Sequence, residues 1–248
     1  MKHFLILLFV FALARAQSFP DNRDWDAILL HDVNREHRVD YKALREGRAP
    51  LDRYARQLGA PWPPISANAR KAALINAYNA LTVRWIVDNY PVESIWRTKK
   101  PFSAARHTVD NKHVSLDDIE GDLRKLDPRV HAALVCAARS CPPLRREAYR
   151  ADAVNQQLDD NFREWLAMPD RNSFDAAKGV ATISRIFGWY KTDFDRMGGA
   201  GAVLAKYSPA YAASMKTAYK VYRWGLNDSS DLGANYPEWK FYRDRLMY

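Results

Sequence analysis

The sequence predicts an α+β fold, predominantly helical with a small β-sheet, and three observations carry that reading. The stretch from about Ser66 to Asn89 has helical spacing and is apolar on almost every side: Leu74, Ile75, Tyr78, Leu81, Val83, Trp85, Ile86. Only a central, buried helix has that pattern. Further segments on both sides of it repeat apolar residues three and four apart, as amphipathic helices do. The stretches that suit strands are few and short, so the sheet they build is small.

Taken in order, Trp25 to Val33 reads as a helix through Trp25, Ile28, Leu29 and Val33. Val39-Asp40-Tyr41 opens a second helical segment that runs through Leu44, continues from Arg53 to Leu58 and stops at Pro61-Trp62-Pro63-Pro64. Ser66 can cap the central helix and Pro91 ends it. Phe102 to His107 and His113 to Leu116 flank the turn Val109-Asp110-Asn111-Lys112 as a hairpin. Leu116 then opens a helix whose early acids, Asp117 and Asp118, suit a helix N-terminus. Arg129 to Cys136 is short, apolar and follows a proline. Periodicity alone does not separate strand from buried helical turn there, and strand is the expectation taken. Asp152 to Leu166 is a helix with Val154, Leu158, Phe162 and Trp165 on one stripe, and Lys178 to Ile183 is a strand. Phe187 to Phe194 and Ala202 to Tyr222 read as helices. The tail beyond Asn227 turns aromatic (Tyr236, Trp239, Phe241, Tyr242) and is expected to pack back on the rest.

Residues 1–16 have the form of a secretory signal. Lys2 supplies the positive start, Phe4 to Leu13 is an apolar run, and Ala14-Arg15-Ala16 has the small-x-small ending that a signal peptidase needs. The run is shorter than the ~20 residues that cross a bilayer, and no later stretch is apolar enough to do so. The expectation is an exported, periplasmic or secreted protein with no transmembrane span after cleavage. Without those 16 residues the 248-residue chain keeps 232, read as a single domain over 17–248 with no repeat or linker. The net charge of +9 falls to +7 once Lys2 and Arg15 are removed. A basic surface favours anionic partners. The excess is thinly spread, however, and nucleic-acid-binding motifs are absent, so a solvated face is the better reading.

Cys136 and Cys141 form a C-x4-C pair where an apolar segment runs into Pro142-Pro143. In an exported protein a nearby pair of cysteines is first a disulfide, second a catalytic thiol with a partner, and only distantly a metal site. His131, five residues before Cys136, does not make a local base. In a strand the odd separation puts the two on opposite faces, and in a helix they stand roughly 140° apart. A base would then come from elsewhere, such as His107 or His113 of the hairpin. Asn76 and Asn79 share one face of the buried helix and must find partners there; bracing of neighbouring backbone is the plainer reading. No Ser-His-Asp order, phosphate loop or HExxH helix is present, and no cofactor or metal is expected.

Together the motifs resemble the DUF547 proteins, a domain of unknown function found in bacteria, plants and animals. Val39-Asp40-Tyr41 is similar to an early V-D-Y, and Leu74-Ile75-Asn76-Ala77-Tyr78-Asn79-Ala80-Leu81 to a W-I-N-x-Y-N-A-L helix followed by Tyr90-Pro91-Val92. Leu116-Asp117-Asp118-Ile119-Glu120 is similar to L-D-D-I-E. Asp127 to Leu144 is similar to D-x-R-I-H-F-A-L-x-C-x-x-x-S-C-P-x-L. Ser184 to Phe194 is similar to S-x-I-F-x-W-Y-x-x-D-F, and Tyr222 to Asn227 to a closing Y-D-W-x-L-N. The resemblance covers nearly all of the chain after the leader. It implies a polar set of Asn76, Asn79, Glu120, His131, Arg139, Cys136 and Cys141, with Arg139, Tyr78 and Tyr190 as ligand-binding side chains. By analogy with papain-like or transglutaminase-like thiol enzymes, Cys136 would be a nucleophile, Glu120 or a histidine would handle the proton, and Asn76 or Asn79 would polarise a carbonyl. Two positions depart from the family pattern: Gly121 stands where a His is common, and Arg223 where an Asp is. Two functions follow as expectations. The first is an envelope binding or structural protein with a Cys136–Cys141 disulfide and an anionic or peptide-like ligand. The second is an extracytoplasmic thiol hydrolase or acyltransferase that uses Cys136.

Overall fold

Three helix starts in this chain, among them that of the central helix, are set by small polar residues placed to receive otherwise orphaned amide N–H groups. The computed structural model describes residues 20–247, so the expected leader lies outside the described residues. In chain order come α1 (Arg23–Asp32), α2 (Tyr41–Glu46), α3 (Ala49–Gly59), α4 (Ala67–Asn89), β1 (His107–Val109), β2 (Lys112–Val114) and α5 (Leu116–Leu126). There follow α6 (Val154–Ala167), β3 (Ser173–Asp175), β4 (Val180–Ile183), α7 (Ile186–Trp189), α8 (Lys191–Asp195), α9 (Gly199–Tyr207), β5 (Lys216–Tyr219) and α10 (Glu238–Met247). Asp40 caps α2, Ser66 caps α4, and Ser115 forms a reciprocal capping box with Asp118 at the start of α5. The fold is α+β and mostly helical. No helix among the described residues is long and apolar enough to cross a membrane.

α4 is buried over most of its length, from Lys71 to Val83 and again at Ile86 and Val87. It packs against α2, α3, α5 and α6. Ile75 is wholly buried there, and burying one such side chain stabilises by about 1.5–3 kcal/mol. β1 and β2 form a hairpin at the expected turn, with shorter strands than expected because 102–106 is irregular and Leu116 is already in α5, and Asp110 and Asn111 take positive φ, as two-residue hairpin loops require. β3, β4 and β5 make a second sheet, antiparallel between β3 and β4 and parallel between β4 and β5.

Three expectations are corrected. Arg129 to Cys136 is not a strand: Pro128–Ala132 is a 3-10 helix, and the chain beyond it is irregular. Pro128 presets a helical φ, and the Asp127 carboxylate accepts the Arg129 N–H, which closes a turn. The backbone that follows bonds to side chains and to one short bridge, Ala138 with Leu226, instead of a strand ladder. Ala202 to Tyr222 is not one helix. α9 stops at Tyr207 because Ser208, directly before Pro209, is extended, and Lys216–Tyr219 joins β4. Phe187 to Phe194 is two short helices, separated at Tyr190. The aromatic tail does pack back. α10 lies against the 3-10 turn Ile95–Arg97, and Phe241 stacks on Trp224 with ring centroids 4.9 Å apart.

Candidate functional site

A cavity of about 530 Å³ opens where α4, α5, the Cys segment, α7, the stretch Tyr222–Trp224 and α10 meet. Its walls are largely aromatic: Trp96, Phe102, Trp189, Tyr190, Tyr222, Trp224, Phe241 and Tyr242. These rings pack on one another. Trp224 lies 5.8 Å from Trp189 and 4.6 Å from Tyr222, and Trp96 meets Phe102, Trp224 and Phe241 edge-on. Such offset and edge-on contacts hold aromatic walls in fixed orientations.

Polar groups enter this apolar wall from α5 and the Cys segment. Glu120 and Asp117 lie one turn apart on α5 and both line the cavity. Burial raises the pKa of Glu120, opposed by a hydrogen-bonding interaction with Tyr190. Burial, then the charge of Asp118, also raises Asp117. Burial, then the Glu120 charge, lifts Tyr78 well above the ordinary phenol range, so its hydroxyl keeps its proton.

His131 is 4% exposed, and its Nε2 lies 2.8 Å from Asp193 Oδ2. Asp193 also accepts from Arg124 Nε at 2.6 Å and from Arg196 Nη2 at 3.0 Å. Burial would raise Asp193, but its bonds from Arg124 and His131 hold the carboxyl at about 2. Burial, reinforced by the nearby Arg124 and Arg196 charges, lowers His131 to about 4 in spite of the carboxylate. The imidazole is therefore neutral near pH 7. Because its partner is an ionised acceptor, Nε2 carries the proton and Nδ1 keeps the lone pair. The ring stacks on Tyr190 with centroids 4.1 Å apart, and the Arg124 guanidinium lies over the other residue of that stack at 4.6 Å.

Cys136 and Cys141 form a disulfide. Cys136 is half-buried and lines the cavity, whereas Cys141 is 1% exposed. The Cys136 and Ala138 amides donate to Cys141 Sγ at 3.1 and 3.4 Å, and the Tyr222 hydroxyl is 3.4 Å from each sulfur. Ala137, between them, takes a φ of 61°.

The structure thus gathers Glu120, Tyr78, Tyr190, His131 and Cys136 around one cavity. His131 and Cys136 both line it because the segment is neither strand nor continuous helix, so strand or helix periodicity does not part them. Asn76 and Asn79 are not among the lining residues. Asn76 bonds the Tyr149 carbonyl and amide, both at 2.9 Å, and Asn79 bonds the Ala133 carbonyl and the Val135 amide, both at 2.9 Å. Their amides are engaged in bracing the loops that carry the site. Arg139 also lies away from the cavity, where it donates to Asp231 at 2.6 Å. His107 is buried beside a separate hollow with Arg48, Arg84 and Arg106, and His113 is exposed, so neither hairpin histidine lines the cavity.

Sequence reasoning missed Asp193 and the aromatic walls Trp189, Tyr222, Trp224 and Phe241. Asp193 sits inside the D-F motif, Trp189, Tyr222 and Trp224 in the W-Y and Y-x-W motifs, and Phe241 in the aromatic tail, so each signal was present. Nothing in the spacing said that the three segments converge. Among the described residues, no group of three or more His, Cys, Asp or Glu side chains is arranged to hold a metal ion.

Residues 64–166 match the family model described as "Protein of unknown function, DUF547". That span contains α4, α5 and the Cys segment, the parts that supply Tyr78, Glu120, His131 and Cys136 to the cavity. No curated protein matches the chain, and no solved structure does.

Proposed function

We propose that this chain is an exported binding domain whose cavity takes a peptide-like ligand. An aromatic or aliphatic group packs against the wall that Trp189, Trp224 and Phe241 form together, and a hydrogen-bond donor or cation meets Glu120. The observation that carries this reading is the closed Cys136–Cys141 disulfide in a cavity otherwise walled by aromatic rings. With both sulfurs bonded, no thiolate is available to attack, and the remaining surface suits stacking and polar capture. Aromatic faces attract cations, and a buried carboxyl rewards a donor more than an exposed one does. Asp117, Glu120 and Glu238 against Arg185 and Arg245 favour a ligand with both donors and acceptors, as a peptide has, over a purely anionic one. The leader-like N-terminus and the disulfide both support export.

Titration of tryptophan fluorescence with short peptides that carry an aromatic and a basic residue tests the proposal. A saturable change is expected, weakened about tenfold by Glu120→Gln, the loss of one charge-assisted hydrogen bond. Trp224→Ala should abolish it. If no peptide gives a saturable change, or if both variants bind like the parent, the binding reading is wrong.

A second reading, a thiol hydrolase, is favoured by His131 and Cys136 lining the same cavity, with Asp193 hydrogen-bonded to His131 behind it. After reduction, the neutral imidazole could take the Cys136 proton. Hydrolysis of a peptide or ester substrate that appears only on reduction and vanishes in both Cys136→Ala and Asp193→Asn would establish it. Activity retained in Cys136→Ala would exclude it.

A further inference from the structure

The two sulfurs of the cavity disulfide differ in access and in the groups around them. Cys136 lines the cavity and is only partly buried, while Cys141 is 1% exposed and is met by donors. The amide of Cys136 points at Cys141 Sγ from 3.1 Å and that of Ala138 from 3.4 Å. The left-handed Ala137 between them lets both amides turn to one side, a conformation that a non-glycine residue keeps only when the packing around it holds it. The Tyr222 hydroxyl, kept protonated by burial and 3.4 Å from each sulfur, is a third donor available to Cys141 once the bond opens. Arg171, whose charge is paired with Asp170 at 2.7 Å, donates from Nε to the Cys141 carbonyl at 2.7 Å and so fixes the backbone of that end. Converging amides of this kind favour an anion.

We propose that Cys136–Cys141 is a thiol–disulfide exchange centre, with Cys136 as the attacked sulfur and Cys141 as the stabilised leaving group. The reductant is a small-molecule or peptide thiol that enters through the cavity. Its thiolate attacks Cys136 Sγ, a new S–S bond forms, and the Cys136–Cys141 bond breaks with its electron pair on Cys141 Sγ. The Cys141 thiolate is received by the two amides and the Tyr222 hydroxyl. A second thiolate then attacks the incoming group's sulfur and releases Cys136 as a thiolate. The net change is two thiols oxidised to one disulfide and the protein disulfide reduced to a dithiol, with the two thiol protons ending on Cys136 and Cys141. A leaving thiol of lowered pKa departs faster, which is what the donors around Cys141 provide. This goes beyond the binding reading and needs the cavity only as the route to Cys136.

The test uses glutathione as the probe, intact-mass readout after alkylation, and the full chain in its oxidised form. The native disulfide is expected to be reduced at least as fast as that of the same chain unfolded in guanidinium. Cys141→Ser, treated with oxidised glutathione, is expected to gain one adduct on Cys136, and Cys136→Ser none. Tyr222→Phe is expected to slow native reduction about fivefold, the worth of one hydrogen-bond donor, with an unchanged melting temperature to show that it folds. The proposal is overturned if the native disulfide yields only on unfolding, if Cys141 takes the adduct in Cys136→Ser, or if a folded Tyr222→Phe is reduced at the parent rate. Peptide binding that persists under any of these outcomes leaves the binding reading standing.

Discussion

At the scale of single residues, pH-sensitive stability follows from two buried imidazoles. His131 and His107 are 4% and 6% exposed, and burial brings each from 6.5 to about 4. Between these values the unfolded chain binds a proton at each site that the folded chain does not, so stability rises with pH there. The contribution is complete above about pH 6.5 and is lost as pH falls towards 4. It amounts to about 3 kcal/mol per imidazole at most. Asp193, held at about 2 against 3.8 unfolded, has the same sign in a lower window: its contribution is present above 3.8 and lost as pH falls through 2. The melting temperature should therefore drop between pH 7 and pH 4, and His107→Gln should flatten part of that drop without touching the cavity. A flat profile over that range would mean both histidines titrate normally. Asn79 gives a second residue-scale expectation. Asn79→Ala leaves the Ala133 carbonyl and the Val135 amide without partners in the interior, which should cost about 2–4 kcal/mol in denaturant unfolding. A loss under 1 kcal/mol would show that water replaces the side chain.

Among elements, the Cys segment is held in place from outside itself. Arg139 N–H donates to the Gly225 carbonyl at 2.8 Å, Asn227 N–H to Ala137 at 3.0 Å, and Ser140 N–H to Arg223 at 3.2 Å. Tyr41 in turn donates to the Asn227 side chain at 2.8 Å, linking the early V-D-Y to the closing L-N. This latch requires glycine at two positions. A Cβ on Gly225 would stand 1.9 Å from the Gly233 carbonyl oxygen, and one on Gly233, whose φ is +86°, would stand 2.3 Å from that of Glu93. Gly225→Ala should therefore cost about 3 kcal/mol or more, since backbone must move to admit it. Gly121→Ala is the contrast: its Cβ would meet nothing within 4 Å, and it lies inside α5, so a gain of about 1 kcal/mol is expected. Chemical denaturation of both variants checks the pair, and equal effects would contradict the packing described.

For the whole molecule, the cavity depends on segments far apart in sequence. α10 closes one side through Phe241 on Trp224 and Trp96, the Tyr236–Asp244 hydrogen bond of 2.9 Å and the Lys240–Glu93 pair of 3.1 Å. The helix has few buried residues of its own, Phe241 and Asp244, so its docking is local rather than part of the central core. Phe241→Ala should raise hydrogen exchange over 238–247 while α4 stays protected. Loss of protection in α4 as well would mean that the tail supports the core and not only the cavity wall.

Features that rest on local chemistry and periodicity could be read along the chain. The apolar pattern of α4, the capping of α5, the Asp110-Asn111 turn and the adjacency of two cysteines were all legible, because each depends on residues close in the chain. Only the tertiary structure decided that Arg129 to Cys136 is a turn and an irregular run, that Lys216–Tyr219 is a strand, and that Asp193 meets His131. Each of these turns on a distant partner: Asn79 for the Cys segment, β4 for β5, and the α8 carboxylate for the histidine. Hydrogen bonds and burial set by such partners outweigh local propensity, whose worth is less than about 1 kcal/mol per residue. The cavity was the least legible feature, since its aromatic walls come from motifs whose spacing along the chain says nothing of their distance in space.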